Sequence, residues 1–131
     1  MKFNHIGIAV RDIDSSIEAF SVFGYSHDGF FHHDTIQNVR IAFLTGHGQP
    51  MLELVQPINE SSPVVNFLSR NGTSMYHKCF EVTDIMQSIE SLKQQKYRLI
   101  SSPKPAIAFK HRLVCFMFHK DAGLIELLSV S

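Results

Sequence analysis

His5-Ile6-Gly7-Ile8-Ala9-Val10-Arg11-Asp12-Ile13 has an echo 72 residues downstream, His77-Lys78-Cys79-Phe80-Glu81-Val82-Thr83-Asp84-Ile85. At that offset His5 falls on His77, Val10 on Val82, Asp12 on Asp84 and Ile13 on Ile85. The match runs on without a gap through Ser16 and Ser88, Ile17 and Ile89, Glu18 and Glu90, to Tyr25 and Tyr97. Eight of the 21 positions from 5 to 25 are therefore identical. One further residue of offset, 73, sets Phe43 on Phe116, Glu53 on Glu126 and Leu54 on Leu127. Identity sustained at a near-constant offset marks an internal repeat, here a duplicated module of about 60 residues.

Each copy reads as the same succession of elements. A short apolar strand carrying the histidine, 3–10 or 76–82, leads into a helix opened by Asp12 or Asp84. A carboxylate there can cap free N–H groups and oppose the helix dipole. Ile13, Ile17, Phe20 and Phe23 recur on one helical face before Gly24, and Ile85, Ile89 and Leu92 do so in the second copy. Three strands follow in the first copy, 26–32, 38–45 and 51–56, and three in the second, 97–101, 111–118 and 123–130. Pro103-Lys104-Pro105 reads as a loop between strands of the second copy. Glu60-Ser61-Ser62-Pro63, followed by Val64, Val65, Phe67 and Leu68, predicts a linker helix with Pro63 in its first turn and Asn71-Gly72 at its end. The chain is thus predicted to be α+β, a single domain over 1–131. Two βαβββ modules, about 1–58 and 73–131, flank a linker at about 59–72, and their mixed sheets curve around one central cleft.

Composition narrows the classes of function. Twelve Lys and Arg balance twelve Asp and Glu, so no excess positive charge favours nucleic acid or an anionic membrane. No apolar run approaches the roughly 20 residues that span a bilayer. The N-terminal apolar stretch is interrupted by Arg11 and Asp12 too soon for a signal peptide. Two cysteines, Cys79 and Cys115, each within an apolar strand, do not make a disulfide scaffold, and a reducing, cytoplasmic setting is the expectation. Both read as small buried residues.

The repeat singles out four side chains. It pairs His5 with His77 on the first strands, and Glu53 with Glu126 on the last strands, Met51-Leu52-Glu53-Leu54-Val55 and Leu124-Ile125-Glu126-Leu127-Leu128. A carboxylate among aliphatic neighbours is costly to bury unless something positive compensates it. Alternation along a strand offers the other outcome, a glutamate turned outward to water. The same placement twice, each time with an equivalent histidine, favours one shared divalent ion. Two imidazoles and two carboxylates suit Ni²⁺, Co²⁺, Mn²⁺, Fe²⁺ or Zn²⁺. Separations of 48 and 73 residues are unlike those of a zinc ribbon. Four protein ligands on a six-coordinate ion leave two positions for water or substrate. His27, His47, His111 and His119 have no histidine at the repeat-related position and read as structural, while His32 and His33 read as a turn or strand end.

His-Ile-Gly-Ile-Ala-Val-Arg-Asp-Ile-Asp at 5–14, the strand glutamates and Gly-Leu-Ile-Glu-Leu at 123–127 resemble the vicinal oxygen chelate superfamily over essentially the whole chain. That superfamily includes glyoxalase I, methylmalonyl-CoA epimerase, extradiol dioxygenases and bleomycin-resistance proteins. The run 53–62, with Tyr76-His77 and Phe80-Glu81-Val82, is most similar to the epimerase branch. The resemblance implies His5, Glu53, His77 and Glu126 as metal ligands, with Glu53 standing where some epimerases carry Gln and matching the His-Glu-His-Glu set of glyoxalase I, and a homodimer as the assembly. It also implies proton transfer next to a thioester carbonyl, with Glu126, and then Glu53, as the proton-carrying carboxylates. A glyoxalase I-like lyase acting on a hemithioacetal and a non-catalytic resistance-type binder are the alternatives. Two further positions depart from the branches. Arg40 is aligned with a second catalytic glutamate of the epimerases, and an arginine is no base at neutral pH. Its fork suits a carboxylate or phosphate of the substrate if it points into the cleft, and a surface arginine on an edge strand is the other reading. Ala9 stands where the glyoxalases carry a glutathione-holding arginine.

Overall fold

The computed structural model describes residues 1–131 and builds one continuous nine-stranded sheet with three α-helices. Strand β1 (Lys2–Ala9) is followed by helix α1 (Ile13–Ser21), the short strands β2 (Ser26–His27) and β3 (His32–Asp34), then β4 (Val39–Thr45) and β5 (Leu52–Pro57). Helix α2 (Val64–Asn71) separates these from β6 (Ser74–Val82), α3 (Ile85–Gln94), β7 (Arg98–Ala106), β8 (Arg112–His119) and β9 (Gly123–Ser129). A single 3-10 turn, Ile107–Phe109, links β7 to β8. The strands lie in the order β2-β4-β5-β1-β6-β9-β8-β7, with β3 also paired to β4. Each half therefore has the same internal order. The halves join where β1 and β6 run antiparallel, while β1 pairs with β5, and β6 with β9, in parallel.

Strand alternation sorts the side chains into two layers. Ile8, Val10, Ala42, Leu44, Leu52 and Leu54 face α1, packing with Ile13 and Tyr25. Val82, Cys115, Met117 and Leu127 face α3, with Ile85 and Ile89. The other face curves over two smaller apolar groups, Ala9, Val39, Ile41 and Val55 under α2, and Cys79, Val114 and Leu128 beside Ala106. Asp12 caps α1 by accepting from the N–H groups of Asp14 and Ser15, and Asp84 caps α3 by accepting from Gln87. Gly72, at φ 67°, ends α2 with its N–H donated to Leu68 O. Arg11 also donates to Leu68 O, tying the end of α2 to the segment after β1.

Three sequence expectations are corrected. The strand expected at 26–32 is broken into β2 and β3, because Gly29 takes φ 86° and Asp28 Oδ1 accepts from Phe30 N–H, which turns the chain. Pro103-Lys104-Pro105 is not a loop but part of β7. As an edge strand, β7 can dispense with proline N–H groups, and a register irregularity between Ser101 and Lys104 absorbs the misfit. Phe23 lies beyond the end of α1 and is two-thirds exposed rather than on the buried helix face.

Candidate metal centre

The four repeat-paired residues meet at the centre of the concave face. His5 comes from β1, Glu53 from β5, His77 from β6 and Glu126 from β9, and all four are buried. The two central antiparallel strands thus bring the imidazoles, and their two parallel partners bring the carboxylates. Leu52 and Leu54 turn to the α1 layer, so alternation sends Glu53 inward; Ile125 and Leu127 do the same for Glu126. Nε2 of His5 and Nε2 of His77 are each 3.3 Å from Oε1 of Glu53 and Oε1 of Glu126. The two Nε2 atoms are 3.2 Å apart.

The backbone is irregular at both histidines. Pairing of β1 with β6 slips between Phe3 and His5, leaving Asn4 as an extra residue, and again between Gly7 and Ile8, leaving Tyr76 as the extra residue on β6. Bulges of this kind re-aim side chains. Asn4 and Tyr76 are related by the 72-residue repeat, so each bulge immediately precedes a histidine. Gly7 lies opposite His77, and a Cβ built on Gly7 would fall inside the His77 imidazole. A missing side chain at Gly7 therefore makes the seat for that ring. Phe109 stacks on His5 with centroids 5.6 Å apart, Phe43 meets its edge, and Tyr76 and Phe116 flank His77.

Electrostatics favour charged donors. Burial alone would lower the His5 pKa, but the carboxylates of Glu53 and Glu126 outweigh it and raise it to about 10. The same opposition raises His77 to about 9. Burial pushes both carboxyls up, yet the neighbouring imidazoles hold Glu53 and Glu126 below the ordinary carboxylate range. At neutral pH both rings attract a proton, and two Nε2–H groups 3.2 Å apart oppose one another. Glu126 Oε1 has no hydrogen-bond partner despite its burial. One cation resolves these conflicts together. The single donor atoms offered by the four residues lie within 4.8 Å of one another. The imidazole–imidazole and imidazole–carboxylate separations, 3.2–3.3 Å, fall within the roughly 4.2 Å that two metal–ligand bonds of about 2.1 Å can span. The donor set therefore fits a divalent transition ion.

Arg40 does not join them. Val39 and Ile41 line the cleft, whereas the intervening Arg40 lies on the α1 side, its guanidinium 4.0 Å above the Phe31 ring. Its charge also helps lower the Asp12 carboxyl, behind the hydrogen bonds Asp12 accepts from Ser15. The sequence alignment set the right strand against the cleft but the wrong face. The polar side chains that line the cleft from this hairpin are instead Asp34 and Gln37. Asp34 Oδ1 accepts from the N–H groups of Ile36 and Gln37, which shapes the turn, and Gln37 Nε2 is buried without an acceptor. Nothing in the periodicity of 36–38 singles Gln37 out, because it sits in a turn.

Gln37, Ile41, Val55, Val64, Tyr76 and Phe116 are among the walls of a cavity of about 50 Å³ that reaches Glu53, His77 and Glu126. A groove of about 260 Å³ shares Gln37, Pro63, Tyr76 and Phe116 with it and continues to Ser101 and Lys104. Cys79 and Cys115 are free, and burial pushes both thiols up, Cys115 to about 12. Neither is a thiolate nucleophile.

Comparison with known proteins identifies the family. Residues 4–116 match the Glyoxalase/Bleomycin resistance protein/Dioxygenase superfamily. An ethylmalonyl-CoA/methylmalonyl-CoA epimerase of Cereibacter sphaeroides is 30% identical over 132 residues, covering 98% of both chains. The mitochondrial methylmalonyl-CoA epimerase of Dictyostelium discoideum is 29% identical over 130 residues, 96% of this chain and 76% of that one. The crystal structure of methylmalonyl-CoA epimerase from Mycobacterium tuberculosis superposes with a TM-score of 0.79 at 28% identity, covering 99% of this chain and 88% of that chain. A methylmalonyl-CoA epimerase solved with methylmalonyl-CoA and NH4+ gives a TM-score of 0.79 at 26% identity, covering 98% of this chain and 93% of that chain. A doubled βαβββ sheet with its histidines and glutamates gathered at the join, matched along nearly its full length, belongs to the glyoxalase/bleomycin resistance/dioxygenase, or vicinal oxygen chelate, superfamily.

Proposed function

We propose that this chain is a divalent-metal-dependent epimerase that moves the proton α to the carbonyl of an acyl-CoA thioester, with methylmalonyl-CoA as the model substrate. The observation that carries the reading is the convergence of Glu53 and Glu126 on one buried imidazole pair, within a chain that matches epimerases from end to end. His5, Glu53, His77 and Glu126 would hold the ion, which supplies Lewis-acid stabilisation of the charge that develops on the thioester oxygen.

The chain's own groups do the rest. Glu126 accepts the α-proton, since its carboxylate stands beside the imidazole pair and lines the cavity that the substrate would enter. The C–H electron pair becomes the enolate π bond as the carbonyl π pair moves to oxygen. Glu53 stands on β5 and Glu126 on β9, with β1 and β6 between them, so two carboxylates approach the cleft from its two halves. The proton taken by Glu126 passes to Glu53, whose donor atom lies within 4.8 Å, and Glu53 returns it to the enolate carbon on the other face, so the centre inverts, both glutamates end as carboxylates and no atoms are gained or lost. Gln37 Nε2–H, the unpaired donor on the wall, binds an oxygen of the substrate. The apolar walls exclude water, and the groove toward Lys104 takes the thioester arm.

The experiment is α-proton exchange followed by NMR in D₂O with metal-loaded protein and racemic methylmalonyl-CoA. Deuterium should enter the α-carbon, and enantiopure substrate should racemise. Glu126→Gln should slow both by about 10²-fold or more, as for removal of a proton-transfer group. No exchange into the thioester, with turnover of methylglyoxal and glutathione instead, would replace this reading with the glyoxalase one.

A further inference from the structure

His5 and His77 are related by the repeat, yet their outer ring nitrogens meet different fates. His77 Nδ1 is buried and has no hydrogen-bond partner, whereas His5 Nδ1 lies 2.7 Å from Asn4 Oδ1. Ordinarily adjacent strand residues point to opposite faces and cannot touch in this way. The bulge at Asn4 makes the contact possible. The contact extends outward, since Asn4 Nδ2 donates to Glu81 Oε1 at 2.8 Å. Arg112 Nη2 stands 3.7 Å from the same Oε1, and Arg112 Nε donates to the Ser129 carbonyl at 2.6 Å.

The direction of this chain is fixed by its far end. An ionised carboxylate is acceptor-only, so Glu81 demands the amide nitrogen of Asn4 and turns the amide oxygen toward His5. That oxygen is also acceptor-only, so it holds a proton on His5 Nδ1, and the ring nitrogen left to give up its proton to an incoming ion is Nε2, which faces Glu53, His77 and Glu126. Tyr76, which takes the place of Asn4 in the second module, makes no such bond to His77.

We infer that Asn4 is a positioning residue for the metal centre, oriented by the Glu81–Arg112 pair, and that through it His5 is the pre-oriented imidazole of the two. The inference rests on the metal reading above. His5 is held for metal before the ion arrives, whereas on its outer side His77 has only packing and the seat left by Gly7. Outer-sphere partners of this type are worth about 10–100-fold in metal affinity.

The test is Zn²⁺ affinity of purified full-length protein, measured by competition with a chromophoric chelator, beside the thermal stability of the metal-free form. Asn4→Leu should weaken Zn²⁺ by about 10–100-fold. Glu81→Gln, at a partly exposed position, should weaken it by less, because a neutral amide no longer dictates how Asn4 faces. The exchange variant Asn4→Asp/Glu81→Gln keeps both hydrogen bonds with carboxylate and amide interchanged, and should recover most of the affinity. A merely structural role for Asn4 would lower metal-free stability without this recovery. Wild-type protein that takes up Zn²⁺ while Asn4→Leu, or Glu81→Gln if the first does not fold, binds it equally well would overturn the inference and leave the metal centre standing. Wild-type protein that binds no Zn²⁺, Co²⁺ or Ni²⁺ would overturn both.

Discussion

Gly7 is the residue on which the geometry of the centre turns most sharply. A Cβ there would collide with the His77 imidazole, so Gly7→Ala should displace a metal-binding side chain without touching it chemically. Overpacking a tight site costs about 1–3 kcal/mol. The expected result is a lower unfolding temperature together with weakened metal uptake, read by calorimetry on the same sample. Titration gives a second prediction for the metal-free protein. His5 and His77 rise from 6.5 toward about 10 and 9, so the stability they contribute is complete below pH 6.5 and disappears as pH climbs through their folded values. Glu53 and Glu126 are depressed, so their contribution is complete above about 4.5 and fails as pH falls through their lower folded values. The chelated protein should therefore be most heat-stable between about pH 4.5 and 6.5 as far as these four groups are concerned, and lose stability toward pH 10. Metal binding should strengthen over the same rise in pH, because the ion displaces protons. Thermal melts with and without chelator across that range check both signs. At this scale the sequence was legible wherever the repeat doubled it. His5, His77, Glu53 and Glu126 are visible because each has a counterpart. Arg40 and Gln37 have none, and a one-residue uncertainty in alignment exchanges the two faces of a strand.

Among the elements, the β3–β4 turn and the 3-10 turn after β7 deserve to be treated as one device. Buried Asp34 accepts from Ile36 and Gln37 through Oδ1 and from Ile107, 73 residues away, through Oδ2. One carboxylate thus sets the turn carrying Gln37 and the turn carrying Phe109, which stacks on His5. Asp34→Asn replaces one acceptor oxygen by a donor facing the Ile107 N–H. The loss should be about 1.5–3 kcal/mol, measured by urea unfolding, with substrate binding weakened as well. Elements with periodic apolar residues and charged caps, such as α1 and α3, were readable in advance because local chemistry and packing agree. β2, β3 and β7 were not. Gly29 and the Asp28 cap break a run that hydrophobicity alone would continue, and the edge position of β7 tolerates prolines that ordinarily signal a loop.

The whole molecule is a sheet whose two halves are joined by one antiparallel seam, β1 against β6, and meet again in the four buried residues that could hold a metal ion. Each half contributes one histidine and one glutamate, so on the proposed reading neither half alone would hold the ion well. Binding should then stabilise the fold as a unit. A free ion at 100 times its dissociation constant adds about 2.7 kcal/mol, which chelation removes. Differential scanning calorimetry should show one transition that moves down on treatment with chelator and returns on adding back one equivalent of metal. The doubled architecture was legible because duplication writes the same pattern twice. The choice of pairing across the seam was not, since a single chain's pattern is equally consistent with halves that pair between molecules. The most direct measurement is divalent metal content per chain on untagged protein, wild type beside His77→Ala. The account predicts close to one ion per chain in the wild type and its loss in the variant. Wild-type protein that neither carries metal nor takes it up from Ni²⁺, Co²⁺, Mn²⁺, Fe²⁺ or Zn²⁺ would contradict it.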